Sequence, residues 1–255
     1  MNEPTTACVL IIGNEILSGR TQDKNIQFLA RELNEAGIRL LEVRVIPDVR
    51  DTIVATLNEV RPKYDYVFTT GGIGPTHDDI TTECVAAAFG LETYIDQRAV
   101  DAMRARRPEM EMNPARLRMA TFPLGAELIA NPVSAAPGYR IGNVYVLAGI
   151  PVVMQAMFDS MKHLLRGGAP VRSRAIRISL GEGTIAQGLA EVQARYPDVD
   201  IGSYPSARGG RLGVSLVFRA TDTARIDPAV DEVKALVRAL GDEPEDEKLD
   251  AESAG

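Results

Sequence analysis

Residues 7–13, ACVLIIG, form an unbroken apolar run that is too short for a stable helix and closes on glycine. A strand without a polar face needs cover on both sides, which places it inside a parallel sheet flanked by helices. The segments that follow repeat the logic. TQDKNIQFLARELNEAG sets Ile26, Leu29, Ala30 and Leu33 at helical spacing and stops at Gly37. IRLLEVRVI (38–46) reads as a strand and VRDTIVATLNEV (49–60) as an amphipathic helix. YDYVFTT (64–70) reads as a second buried strand, and TTECVAAAFG (81–90) as a helix with a glycine stop. Such alternation predicts βαβ units with helices on both faces of a mostly parallel sheet.

Beyond residue 90 the signals are mixed. From Thr93 to Met119 the spacing is helical, broken by Pro108 and Pro114, and carries six arginines (Arg98, Arg104, Arg106, Arg107, Arg116 and Arg118); most suit a solvated face, and a grip on substrate phosphate is the alternative for one or two. ELIAN (127–131) and the hairpin-like GYRIGNVYVLAG (138–149) return to sheet, and PVVMQAMFDSMKHLL (151–165) reads as a helix opened by proline. RGGAPVRSR (166–174) has linker composition. After it, AIRISL, TIAQGLAEVQARY, VDIGSYPS, GRLGVSLVFRAT and PAVDEVKALVRAL spell βαββα, a small α+β layer. The expected division is an α/β domain over residues 1–167, the small layer over 172–240, and an acidic tail over 241–255.

That tail, GDEPEDEKLDAESAG, holds seven acids and one lysine, so the formal charge of −7 leaves the rest of the chain close to neutral. Its low hydrophobicity predicts disorder. A near-neutral body has no electrostatic footprint for nucleic acid. No run approaches the roughly 20 apolar residues of a membrane span. The amino-terminal segment lacks the basic start of a signal peptide. Two cysteines, Cys8 and Cys84, are too few for a disulfide framework, so a reduced cytoplasmic setting is expected.

The chemistry concentrates in TTGGIGPTHDDIT, residues 69–81. Gly71, Gly72 and Gly74 follow a strand and precede a helix, where backbone N–H groups can approach phosphate oxygens without Cβ interference. No lysine follows, so this is not a Walker loop, and no third glycine completes a dinucleotide fingerprint. Asp78 and Asp79 end the loop instead. They fit a tight turn in which Asp79 caps the helix and Asp78 is solvated. They equally fit a site, because the loop after the first strand supplies Glu15 and Asp23, and such loops share the carboxyl rim of the sheet. Asp23 has its own alternative as a helix cap. Converging carboxylates beside a phosphate loop suit a divalent cation, Mg²⁺ or Co²⁺, with Glu15, Asp78 and Asp79 as ligands. His77 is a candidate general acid or base, or else a surface contact.

Taken together, GNEILSGRTQDKN, TTGGIGPTHDDIT and VYVLAGIP resemble the molybdopterin-binding (MoaB/Mog-like) family, in its competence/damage-inducible protein A (CinA) branch. GIGPTHDD, the Thr-Gln-Asp-x-Asn segment and GSYP are especially similar to the amino-terminal domain of eukaryotic FAD synthase. The likeness spans residues 7–240. It implies a three-layer α/β domain with a mostly parallel sheet, commonly a homo-oligomer such as a dimer or trimer. The CinA branch is linked to metal-dependent hydrolysis of ADP-ribose, and the FAD synthase relative to hydrolysis of FAD. Other members bind or adenylylate molybdopterin, and a non-catalytic nucleotide-binding module is the third alternative.

Carried over by motif, Gly71, Gly72 and Gly74 hold phosphate, with Thr70, Pro75, Thr76 and Asn25 completing the binding surface. Asp79 matches the aspartate of the family's Asp-[Ile/Val]-Thr element, Asp23 matches the Asp-x-Asn acid, and Asp78 lies beside them as a metal or water ligand. Gly149 and Pro151 belong to a second rim. The sequence has GNE where GDE is common and AGIP where many relatives have PGxP. Neither the nicotinamide-nucleotide amidase activity of full-length CinA nor FAD synthesis is expected from this chain.

Overall fold

The structure is a computed structural model that describes residues 4–109, 111–208 and 211–248. The chain divides into two compact units, Met1–Gly168 and Ala169–Gly255.

In the first unit, β1 (Thr6–Ile12) leads through a single turn, α1 (Asn14–Leu17), to α2 (Asn25–Glu35) and β2 (Arg39–Ile46). The chain continues through α3 (Arg50–Val60), β3 (Tyr66–Thr70) and α4 (Thr81–Phe89). It then runs through β4 (Thr93–Ile95), α5 (Gln97–Arg106), α6 (Pro114–Arg118), β5 (Thr121–Pro123) and β6 (Glu127–Ile129). β7 (Gly138–Ile141), β8 (Val144–Leu147) and α7 (Pro151–Met161) complete the unit. Six strands form one sheet in the order β2-β1-β3-β8-β7-β6. The first four are parallel, and β7 turns the sheet antiparallel at its far end.

The apolar run that defines β1 is divided between two cores. Cys8, Leu10 and Ile12 face one side with Ile53 and Leu57 of α3 and Val85 of α4. Ala7, Val9 and Ile11 face the other with Leu29 and Leu33 of α2 and Met154, Met157 and Phe158 of α7. Period-two alternation within an all-apolar strand therefore fills both cores, giving three layers. Both cysteines are free and buried, and burial raises their thiols, Cys8 to about 12 and Cys84 to about 11.

Because β1 lies between β2 and β3, the chain leaves it to one side and returns on the other. That makes the carboxyl end of β1 and β3 a switch point where an open α/β sheet holds ligands. The stretch 93–119, which reads as helical, opens instead with β4. This short strand pairs with β5 outside the main sheet, and Asp96 then caps α5 by accepting from the Arg98 N–H at 2.9 Å.

The second unit comprises β9 (Arg172–Ile178), α8 (Glu182–Arg195), β10 (Asp200–Arg208), β11 (Arg211–Ala220), α9 (Thr223–Ala239) and β12 (Glu245–Glu247). Its antiparallel sheet runs β10-β11-β9-β12. Ile176, Ile178, Leu216 and Phe218 share one face and pack with Ile185 and Val192 of α8 and Val230, Val233 and Val237 of α9. Pro228 does not open α9, as its position in the sequence suggests. The helix starts at Thr223, where Asp222 accepts from the Ala224 N–H at 3.0 Å, and carries the proline inside.

The acidic tail also departs from its expected disorder, as far as it is described. β12 pairs with β9, Glu247 accepts from the Ser215 hydroxyl, and Asp246 pairs with Lys234. Asp242 accepts from the Ser179 and Leu180 N–H groups. Composition marks the tail as unable to build a core, but an open strand edge and unpaired donors can still recruit it. The last residues of the tail, 249–255, lie outside the described residues.

Candidate functional site

A cleft of ≈ 520 Å³ opens over the carboxyl ends of β1, β2, β3 and β8. Glu15 and Thr21 reach it from the loop after β1, Asp48 from the loop after β2, and Gly71–Pro75, Asp78 and Asp79 from the loop after β3. Gly149, Ile150 and Pro151 form the wall after β8.

The glycine loop is set by close backbone approach. Gly71 has φ +103, and a Cβ there would strike the Ile12 carbonyl. Gly72, with φ +67, faces the side chain of Thr81, a buried residue whose hydroxyl donates to Gly71 O at 2.9 Å and whose N–H donates to Gly72 O at 3.0 Å. These contacts fasten the loop onto the first turn of α4. The Gly71 N–H is spent on Leu147 O at 3.2 Å, so it does not point to a ligand. The N–H groups of Gly72, Ile73 and Gly74 make no hydrogen bond among the described residues. Three successive donors without a partner among the described residues therefore lie beside the cleft.

Asp79 is fixed by its own loop. Its Oδ2 accepts from the Thr76 N–H at 2.8 Å and from the Thr76 hydroxyl at 2.5 Å. A Cβ on Gly74 would lie 2.6 Å from that same oxygen, so glycine is needed there for the carboxylate rather than for the backbone. Asp78 is exposed. Hydrogen bonding within the loop holds its carboxyl below the usual range. The Glu15 carboxylate folds back against Gly13, where a Cβ would lie 2.6 Å from it.

Other expected residues sit elsewhere. Asp23 does not line the cleft: it stands one residue before Lys24, the N-cap of α2, and its Oδ1 accepts from the Ile26 N–H at 2.8 Å in the helix's first turn, close to the helix-cap alternative its sequence position left open. His77 is 97% exposed, 4.0 Å from Asp78, and outside the cleft lining. Thr70 is buried in β3 below the rim. Asn25 is also buried; its amide donates to Gly149 O at 2.8 Å and ties the loop after β1 to the wall after β8. Thr76 acts on Asp79 rather than on the cleft itself.

Among the described residues, no group of three or more His, Cys, Asp or Glu side chains is gathered closely enough to hold a metal. Glu15, Asp78 and Asp79 line one cleft without forming a ready-made cage. Their donor chemistry fits a hard cation of the kind that takes one or two carboxylates and completes its shell with water and substrate phosphate.

Asp48, Asn131 and Ser134 line the cleft without having stood out in the sequence. Asp48 accepts from the Asn14 N–H at 2.8 Å, which braces α1. Asn131 accepts from the Val133 and Ser134 N–H groups and donates to Ala136 O, folding a loop in which Ala135 has φ 66. An Asn-Pro pair before two alanines signals only a turn, and nothing in it indicates that the turn faces the β3 loop.

A doubly wound α/β domain with a glycine loop and carboxylates at its switch point is the class that fold and cleft define. Residues 8–167 match the family described as Probable molybdopterin binding domain, and residues 170–241 match FAD synthase, middle domain. The chain belongs to this molybdopterin-binding domain family, as the resemblance in its motifs implies. A protein of Archaeoglobus fulgidus is 30% identical over 230 residues, covering 90% of this chain and 96% of that one. A CinA-like protein of Syntrophus aciditrophicus is 34% identical over 77% of this chain. A probable FAD synthase of Caenorhabditis briggsae is 31% identical over 80% of it. The chain spans 50% and 44% of the length of these last two. The crystal structure of CinA from Thermoplasma acidophilum matches with a TM-score of 0.60 at 33% identity, over 64% of this chain and 98% of that one. No described helix is long and apolar enough to cross a membrane.

Proposed function

We propose that the cleft hydrolyses a nucleotide diphosphate such as ADP-ribose or FAD, releasing AMP and a second phosphorylated product, with Mg²⁺ or Co²⁺ as cofactor. The observation that carries this reading is the run of unspent N–H groups at Gly72, Ile73 and Gly74 beside Asp78 and Asp79. Backbone donors select an anion, whereas the aspartates alone would repel it. Both features suit one ligand if a cation accompanies its phosphates.

Of the three expected ligands, Glu15 and Asp78 would hold the cation, and Asp79, with one oxygen taken by Thr76, would stand beside them as the base. When bound, the cation would neutralise phosphate charge and polarise phosphoryl oxygens. The loop N–H groups would hold the non-bridging oxygens and stabilise the charge that builds on them in the transition state. Asp79, anchored through Oδ2, would accept the proton of the attacking water through its other oxygen. The water oxygen bonds to phosphorus, the bridging P–O bond breaks, and the departing phosphate keeps that electron pair.

Incubation with ADP-ribose or FAD and either metal should release AMP, and Asp79→Ala should abolish the release. No AMP above the Asp79→Ala background with any pairing would refute the reading. The family match itself favours a second reading, molybdopterin binding or adenylylation, which predicts a fluorescent pterin retained through purification. A dimeric or trimeric assembly in the cytoplasm belongs to the same proposal, and analytical ultracentrifugation tests the assembly.

A further inference from the structure

The loop that carries the acids is braced from outside by one side chain. Arg118, the last residue of α6, donates from Nη1 to Thr76 O at 2.5 Å. Thr76 is also the residue whose N–H and hydroxyl hold Asp79 Oδ2. A single residue therefore takes a charge-assisted bond on its carbonyl and gives two bonds to the carboxylate.

The base from which Arg118 reaches is itself well fixed. α6 has Pro114 in its first turn, Asn113 accepts from the Arg116 N–H at 3.0 Å, and the Thr121 hydroxyl donates to Leu117 O at 2.9 Å. Arg118 differs from Arg116, the other arginine of α6, in how far it reaches. Arg116 bonds the local Glu111 O, whereas Arg118 spends its charge on a carbonyl of the loop after β3, 42 residues away in the chain. Arg118 lines a second cavity of ≈ 320 Å³ that shares Ile73, Gly74 and Asp79 with the cleft, and it is not among the residues that line the cleft itself.

We propose that Arg118 is a positioning residue: it fixes Thr76, and through Thr76 the direction of the Asp79 carboxylate, without touching the diphosphate. A small displacement of an anchored group is enough to lower turnover by one to two orders of magnitude.

The kinetic arm of the test rests on the proposed hydrolysis. Arg118→Ala should lower kcat about ten-fold or more while KM stays within about two-fold. Arg118→Lys, which keeps a charged donor, should recover part of the loss, and the exposed control Arg104→Ala should change neither constant. An unchanged kcat, or a rise in KM alone, would overturn the proposal; the second result would make Arg118 a direct phosphate contact. Amide hydrogen exchange over residues 73–80 supplies an arm independent of turnover. Faster exchange there in Arg118→Ala, reversed in Arg118→Lys, is expected; identical exchange in all three proteins would overturn the proposal. If the wild type cleaves no diphosphate, the hydrolase reading fails, and the exchange arm alone decides the role of Arg118.

Discussion

Replacing Gly72 by alanine separates what the loop needs as backbone from what it needs as chemistry. With φ +67, the residue sits in the left-handed region, where an L-side chain costs about 1–2 kcal/mol. The new methyl would displace the Thr81 hydroxyl, whose bond to Gly71 O then breaks in a buried setting. Leaving such a pair unsatisfied costs about 1–3 kcal/mol, for a total of roughly 2–5 kcal/mol. Gly19 is the matched control: its φ of +71 is nearly the same, but nothing lies within 4 Å of an added Cβ. Gly19→Ala should therefore lose only the backbone part, about 1–2 kcal/mol. Urea unfolding followed by circular dichroism and tyrosine fluorescence reads both variants, and coincidence of the two probes checks two-state behaviour. If Gly72→Ala is no less stable than Gly19→Ala, the reasoning that the β3 loop is clamped to α4 through Thr81 is wrong.

Gly74→Ala should behave in the opposite way. Its backbone is not left-handed, so the midpoint should barely move, but displacement of Asp79 should cut turnover about ten-fold or more in steady-state assays. Ala135→Gly should relieve the left-handed strain in the Asn131 loop and raise stability by about 1 kcal/mol, measured by the same unfolding curves. Asp96 is buried, and the Arg98 guanidinium lowers its carboxyl to about 2. A depressed carboxylate contributes fully above its unfolded value near 3.8, and the contribution fades as pH falls towards 2. The stability gap between wild type and Asp96→Asn should accordingly close across that window. Asp242→Ala removes the acceptor for two backbone N–H groups and should cost about 1–3 kcal/mol by denaturant unfolding.

The three-layer domain was legible because β1 and β3 are apolar on both faces, and only helices on either side can cover such strands. Periodicity was silent where an element is stabilised by distant partners. β4 exists because β5 pairs with it, and β12 because β9 offers an edge. Within the cleft, Asp78, Asp79, Glu15 and the glycines stood out because acids and glycine cluster on consecutive rims. The chemistry of single residues was harder to read. Asp23 looks like a site acid in the motif, yet it bonds the Ile26 N–H in the first turn of α2, since a helix start and a site both call for an aspartate there. Asp48 carries no local signal, and Arg118 is one of six arginines in its stretch with nothing local to set it apart; each acts through a bond to a segment far away in the chain.

The most direct test of the account is turnover of ADP-ribose in ¹⁸O-labelled water with Mg²⁺ or Co²⁺, followed by mass spectrometry of both phosphorylated products. The account predicts AMP release that stops on chelation and on Asp79→Ala, with one labelled oxygen in the phosphate that water attacked. Saturable binding of ADP-ribose and FAD with no AMP from either would contradict it, and would leave the cleft as a binding site alone.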